Sequence, residues 1–228
     1  MPERLKVYYP TEPASRSLQM AYNILINAHK AAGSFLSQFE SIRKQRDAHG
    51  TPNDEEQDLL RAMLIFSSSG LDSMVKQLVK DTLGEVIEIK EGANERFVEW
   101  VERQMMRDED IDSNLLVSSL LSESPRKLLV QELIKDLTAS SLQSAEQLFT
   151  VASYFDIPTE TFTNDIYGLK NIFHIRNQIS HEMDIDFEQL NRSRRPRGRD
   201  NMIDNTNELF RVGKVFLESV ENILQQGN

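Results

Sequence analysis

The chain has no cysteine, which excludes disulfides, thiolate metal ligands and a cysteine nucleophile. It has no apolar run of about 18 residues, the length a membrane-spanning helix requires. The opening MPERLKVYYPTEP lacks the apolar centre of a secretory leader, and the expected location is cytoplasmic. Positive charge is in deficit: 26 Lys and Arg stand against 36 Asp and Glu, a formal net charge of -10. That argues against coating nucleic acid through overall charge, while leaving room for a local basic site. No GxGxxG, P-loop or G-x-S-x-G pattern occurs, so nucleotide-binding and serine-hydrolase chemistries lack a signature. No internal repeat and no convincing strand is visible.

What remains is helical periodicity. Pro2, Pro10 and Pro13 mark residues 1–16 as an extended arm. Leu18, Tyr22, Leu25, Ala28, Ala32, Phe35, Phe39 and Ile42 then recur at three and four, predicting a helix to about Arg46. His49-Gly50-Thr51-Pro52 is a turn, and Asn53 or Asp54 can cap a second helix running to about Ile89. Gly92 interrupts the pattern, and a short helix follows through Phe97, Val101 and Met105. RDEDIDSN reads as a solvated loop. Ser124-Pro125 is a helix start, and Ser140 with Gln143 resembles a capping box. Residues 160–182 form another helix, and Leu209, Val212, Phe216, Val220 and Ile223 a last one. The expectation is an all-α chain. Residues 17–228 form one domain with a four-helix core, a helical insertion at about 92–158 and a basic loop at 191–201.

The helix over 160–182 contains the stretch NIFHIRNQISHEM. With Phe162 set at zero and about 100° per residue, Ile166, Leu169 and Phe173 form an apolar arc that Ile172 and Ile179 extend. Arg176 falls inside that arc, where the pattern asks for leucine. Lys170, His174, Asn177 and His181 make a separate ribbon beside it. Burying an unpaired guanidinium is very costly, so Arg176 must meet a carboxylate, a phosphate or a wet interface. Asp72, beside the apolar stripe of the second helix, is one candidate partner, and with it Arg176 would simply stitch two helices. His181 alone reads as a cap or surface residue near the helix C-terminus. Beside an arginine that can hold a phosphate in a bidentate fork, its imidazole can move a proton near neutral pH. His174 and His181 stand two turns apart, too far for an ordinary chelating pair, and no metal site or cofactor is expected.

After this helix comes RSRRPRGR, with Arg192, Arg194, Arg195, Arg197 and Arg199. Against an acidic body, such a loop reads either as a clamp for RNA phosphates or as a charge balance for that body. Few aromatics are interleaved, so base stacking is not indicated.

RNQISH resembles the R-x4–6-H motif of the HEPN superfamily, whose first variable position is often a polar residue such as Asn. GLDSMVKQLVKDTL and LFRVGKVFLESVENIL resemble other helices of that family, closest to its RiboL-PSP-type branch. The resemblance implies an all-α bundle and a metal-independent endoribonuclease, with Arg176 and His181 as catalytic residues and Asn177 positioning them. It also implies a homodimer with a shared cleft, products ending in a 2′,3′-cyclic phosphate and a 5′-OH, and a toxin or antiviral role with an antitoxin or other regulatory partner. Some family members carry a tyrosine two residues after the histidine that a partner nucleotidyltransferase modifies, where this chain has Met183. The alternative is a catalytically inactive HEPN-like bundle acting as a protein- or RNA-binding module.

Overall fold

The structure is a computed structural model that describes residues 5, 12–105, 117–119, 121–142 and 144–227. The long helices are α1 (Gln19–Gln45), α2 (Asp54–Ile89), α3 (Glu91–Met105), α4 (Pro125–Ala139), α5 (Ala145–Ser153), α6 (Ile166–Glu182) and α7 (Arg199–Gln226), with short 3-10 turns at Arg16–Leu18 and Thr159–Thr161. The chain is all-α as expected. Among the described residues the only extended pairing is an isolated bridge between Ile185 and Arg194. No described helix is long and apolar enough to cross a membrane.

The central helix is α2. Its start is fixed by a reciprocal capping box: the Asn53 side chain accepts from the Glu56 amide and Glu56 accepts from the Asn53 amide, both at 2.9 Å. Two orphan donors of the first turn are thereby satisfied. The same buried Glu56 receives Arg43 and Arg46 from the end of α1, each at 2.9 Å, locking the turn between the two helices. α1 runs back along α2, and Gly70 permits the close approach, since a Cβ there would stand 2.2 Å from the Ala28 Cβ.

α7 lies parallel to α2. The Arg197 amide just before it bonds Gln57, Gly213 meets Leu71 and Met74, and Gly227 meets Ile89. α6 runs opposite to both, with Gln178 bonded to Arg197 and Phe162, just before it, accepting from Arg211. Phe216 collects the edges of Phe155 and Phe162, centroids 5.4 and 5.3 Å away. α3 and α4 pack against α2, and the Trp100 indole donates to Asp136 across them at 3.0 Å.

Several boundaries differ from the sequence reading, each for a local reason. Gly92 does not break a helix; the break falls at Lys90, whose extended backbone ends α2, and Gly92 lies in the first turn of α3. Ser140 is the C-cap of α4, and Ser144 caps α5 by accepting from the Gln147 amide. Gln143, the RDEDIDSN run and most of the N-terminal arm lie outside the described residues. α6 begins at Ile166 rather than 160, because Asp165 caps it, accepting from the Gly168 amide at 2.8 Å. Phe162 therefore precedes the helix, although it is fully buried. The basic loop is shorter than expected, because Arg199 already belongs to α7.

Candidate functional site

α6 buries Leu169, Ile172 and Phe173. One turn further, on the same side, comes Arg176. Its Nη1 donates to the Asn177 Oδ1 at 2.9 Å, and its Nε is buried with no partner. Among the described residues Arg176 forms no ion pair. The expected pairing with Asp72 is absent, because that carboxylate is already engaged: it accepts from the Leu142 amide at 2.9 Å and meets Lys76 at 3.2 Å. Asp72 thus fastens the α4–α5 connection to α2 and does not support α6.

His181 is exposed near the end of α6 and donates to nothing among the described residues. Five residues separate it from Arg176, about 7.5 Å along the axis and about 140° around it. His174 shares the outward ribbon with Asn177 and His181, and its Nε2 lies 2.9 Å from the Gln178 Nε2. The helix therefore offers a half-buried cation on its apolar side and, on the ribbon beside it, an exposed imidazole with two polar neighbours.

The end of α6 holds a cluster that the sequence reading missed. Met183 and Asp184 take left-handed backbone, φ 53° and 60°, and the Asp184 amide closes the helix by donating to the Gln178 carbonyl at 2.9 Å. An aspartate tolerates this conformation better than most residues. The turn sends the Asp184 carboxylate inward, where it is fully buried. There it accepts from Arg61 Nε at 2.7 Å and Arg197 Nε at 2.9 Å, with a further bond from Arg197 Nη2. Gln57 accepts from the Arg197 amide, and Gln178 Oε1 accepts from Arg197 Nη2 at 2.8 Å. The available signal was of the kind that exposed Arg176: Arg61 is a charge beside Leu60 and Leu64 in an otherwise apolar stripe.

The arginine loop is consumed in the same way. Arg194 pairs with Asp58 at 2.6 Å, Arg195 with Glu182 at 2.9 Å, and Arg199 with Glu40 and Asp200 at 2.5 and 2.8 Å. Burial works against ionisation of Asp58, but the hydrogen bonds and charges of Arg194 and Arg61 outweigh it and hold the carboxyl below its ordinary range. The bond from Asp58 in turn raises Arg194. For Arg199 desolvation is again outweighed, here by Glu40 and Asp200, and its value rises. Arg192 is exposed, with its guanidinium carbon 6.0 Å from the Phe187 ring centre, and forms no ion pair among the described residues. Four of the five arginines expected to clamp RNA thus answer carboxylates of this chain.

No family model, no curated protein and no solved structure matches the chain.

Proposed function

We propose that the chain is a metal-independent endoribonuclease whose site is the polar surface of α6. The observation that supports this is the state of Arg176: a guanidinium set into an apolar helix face, with a buried Nε and no carboxylate partner. Nearby, Arg194, Arg195, Arg197 and Arg199 are all matched by acids. A cation left without one is suited to an anion from outside, and the planar fork suits a phosphate.

In this reading the ribose 2′-OH attacks the adjacent phosphorus and the bond from phosphorus to the 5′-oxygen breaks. A 2′,3′-cyclic phosphate and a 5′-OH result. His181 takes the 2′-OH proton or delivers one to the leaving oxygen, and Arg176 stabilises the negative charge growing on the phosphorane oxygens. Asn177 holds the guanidinium through its Oδ1. The RNA supplies its own nucleophile, so no metal or cofactor takes part. Because one helix spreads Arg176 and His181 about 140° apart, a homodimer with facing α6 helices is the arrangement that completes the site. Such an enzyme fits a toxin or antiviral effector held in check by a partner protein.

The test is RNA cleavage in EDTA by the wild type, Arg176→Ala and His181→Ala. Both substitutions are expected to cost at least about 100-fold in rate. Undiminished cleavage by a folded His181→Ala protein would sink the mechanism.

A second reading has its own support. The pairing of Arg194, Arg195, Arg197 and Arg199 within the chain leaves an acidic molecule with little basic surface beside α6, which suits an inactive bundle that binds a protein. A wild type that neither binds nor cuts RNA decides for it.

A further inference from the structure

The hydrogen-bond chain running from Asp184 to His174 has a direction that its chemistry fixes. A guanidinium can only donate. Arg197, held by the buried Asp184 carboxylate, therefore presents an N–H to Gln178, and the Gln178 atom that receives it at 2.8 Å must be the carbonyl oxygen. Flipping the amide would set N–H against N–H. The other end of Gln178 is then its NH2 group, which lies 2.9 Å from His174 Nε2. That nitrogen must accept, so it carries no proton, and the proton of the neutral imidazole sits on Nδ1. Free histidine side chains in water favour the opposite tautomer, with the proton on Nε2. His174 is exposed, and its Nδ1–H has no partner among the described residues.

We propose that Arg197 and Gln178 are positioning residues that hold His174 as the Nδ1–H tautomer, so that it donates a hydrogen bond to a phosphate oxygen of bound RNA next to the phosphate that is cut. The proposal rests on the ribonuclease reading for the identity of the ligand. The Arg176 guanidinium reaches over to the Asn177 Oδ1 at 2.9 Å, and His174 stands one turn from Asn177 on the outward ribbon of α6, so a strand whose reacting phosphate is held at that end of Arg176 can lay its next phosphate over His174. A neutral donor suits that position, because it binds without competing with Arg176 for the charge of the transition state.

Gln178→Glu preserves the size of the side chain and its acceptor for Arg197, but it leaves nothing that can donate to His174. Gln178→Leu removes the contact without adding charge. Long-range nitrogen–proton NMR of the imidazoles above pH 8 reads the tautomer directly. The wild type is expected to show His174 protonated on Nδ1, and both variants to move it to Nε2. A wild-type Nε2 proton, or an unchanged tautomer in both variants, overturns the positioning role. The second measurement uses a single-stranded RNA with 2′-O-methyl groups, which cannot be cut, together with cleavage of its unmodified form. Gln178→Leu is expected to weaken binding and raise KM about fivefold, because His174 can then donate only by taking up its less favoured tautomer, with the loss falling on KM rather than kcat. A shifted tautomer with unchanged RNA affinity overturns the donor role. If the wild type neither binds nor cuts RNA, the ribonuclease reading fails, and the NMR result still decides whether Arg197 and Gln178 set the tautomer.

Discussion

Two arginines of α2 and α6 sit in otherwise apolar stripes and meet opposite circumstances. Arg61 is almost fully buried and is met by Asp184, Asp58 and Gln57. Among the described residues Arg176, on the helix that Asp184 terminates, is met by Asn177 alone and keeps a buried Nε unpaired. A chain that invests a left-handed aspartate in neutralising one guanidinium leaves the other bare. The first arrangement fastens the molecule. The second leaves a half-buried charge that no carboxylate among the described residues answers.

The sharpest way to break this contrast is to remove the shared carboxylate. Asp184→Ala leaves Arg61 and Arg197 facing each other in a buried site, with only the half-exposed Asp58 still answering Arg61. The expected loss is about 3–5 kcal/mol, the usual cost of stranding a buried charge, read as a fall in the midpoint of denaturant unfolding. Arg61→Met asks less of the fold. Asp184 keeps Arg197, so the expected cost is about 1.5–3 kcal/mol, that of a charged hydrogen bond lost. If either change left the midpoint where it was, the cluster would not be the fastening described.

Arg176→Leu completes the comparison. It fills the arc with the residue the pattern asks for and removes an orphaned buried donor. Stability should stay within about 1 kcal/mol of the wild type, on the favourable side, while RNA cleavage disappears. A loss of about 3 kcal/mol would place Arg176 with Arg61 among the structural residues and end its candidacy.

The same contrast explains what could be read from the sequence. The α1 and α2 stripes, the turn at Gly50 and the cap at Asn53 were legible because local pattern and local hydrogen bonds decide them. Arg176 was legible as an anomaly for the same reason. Its freedom from Asp72 was not, because the identity of a partner depends on which connection packs where, and the Leu142 amide reached Asp72 first. The arginine loop misled for a related reason. Composition shows the five positive charges together but not the acids of α1, α2 and α6 that the fold sets opposite them. Asp184 was invisible because its role depends on a left-handed turn that a run such as HEMDID does not announce.

The smallest expected effect separates exposed pairing from buried pairing. Asp58 is half-exposed, with 52% of its side-chain surface open, and binds Arg194, so its attraction is screened. Its folded pKa lies below the ordinary value because Arg194 and Arg61 outweigh the opposing effect of burial. A depressed carboxyl contributes stability that is present above its unfolded pKa of about 3.9. That contribution is lost as pH falls through the lower folded value. Arg194→Gln weakens the depression, so the stability difference between the variant and the wild type should shrink as the pH is lowered from about 5.5 to about 3. The change should be no more than about 1 kcal/mol, the range of exposed ion pairs. Parallel denaturant midpoints for the two proteins across that interval would show that Arg194 and Asp58 merely lie close together. A difference that closes with acid would show a weaker, screened counterpart of the pairing that Arg61 makes with Asp184, and one that Arg176 lacks altogether.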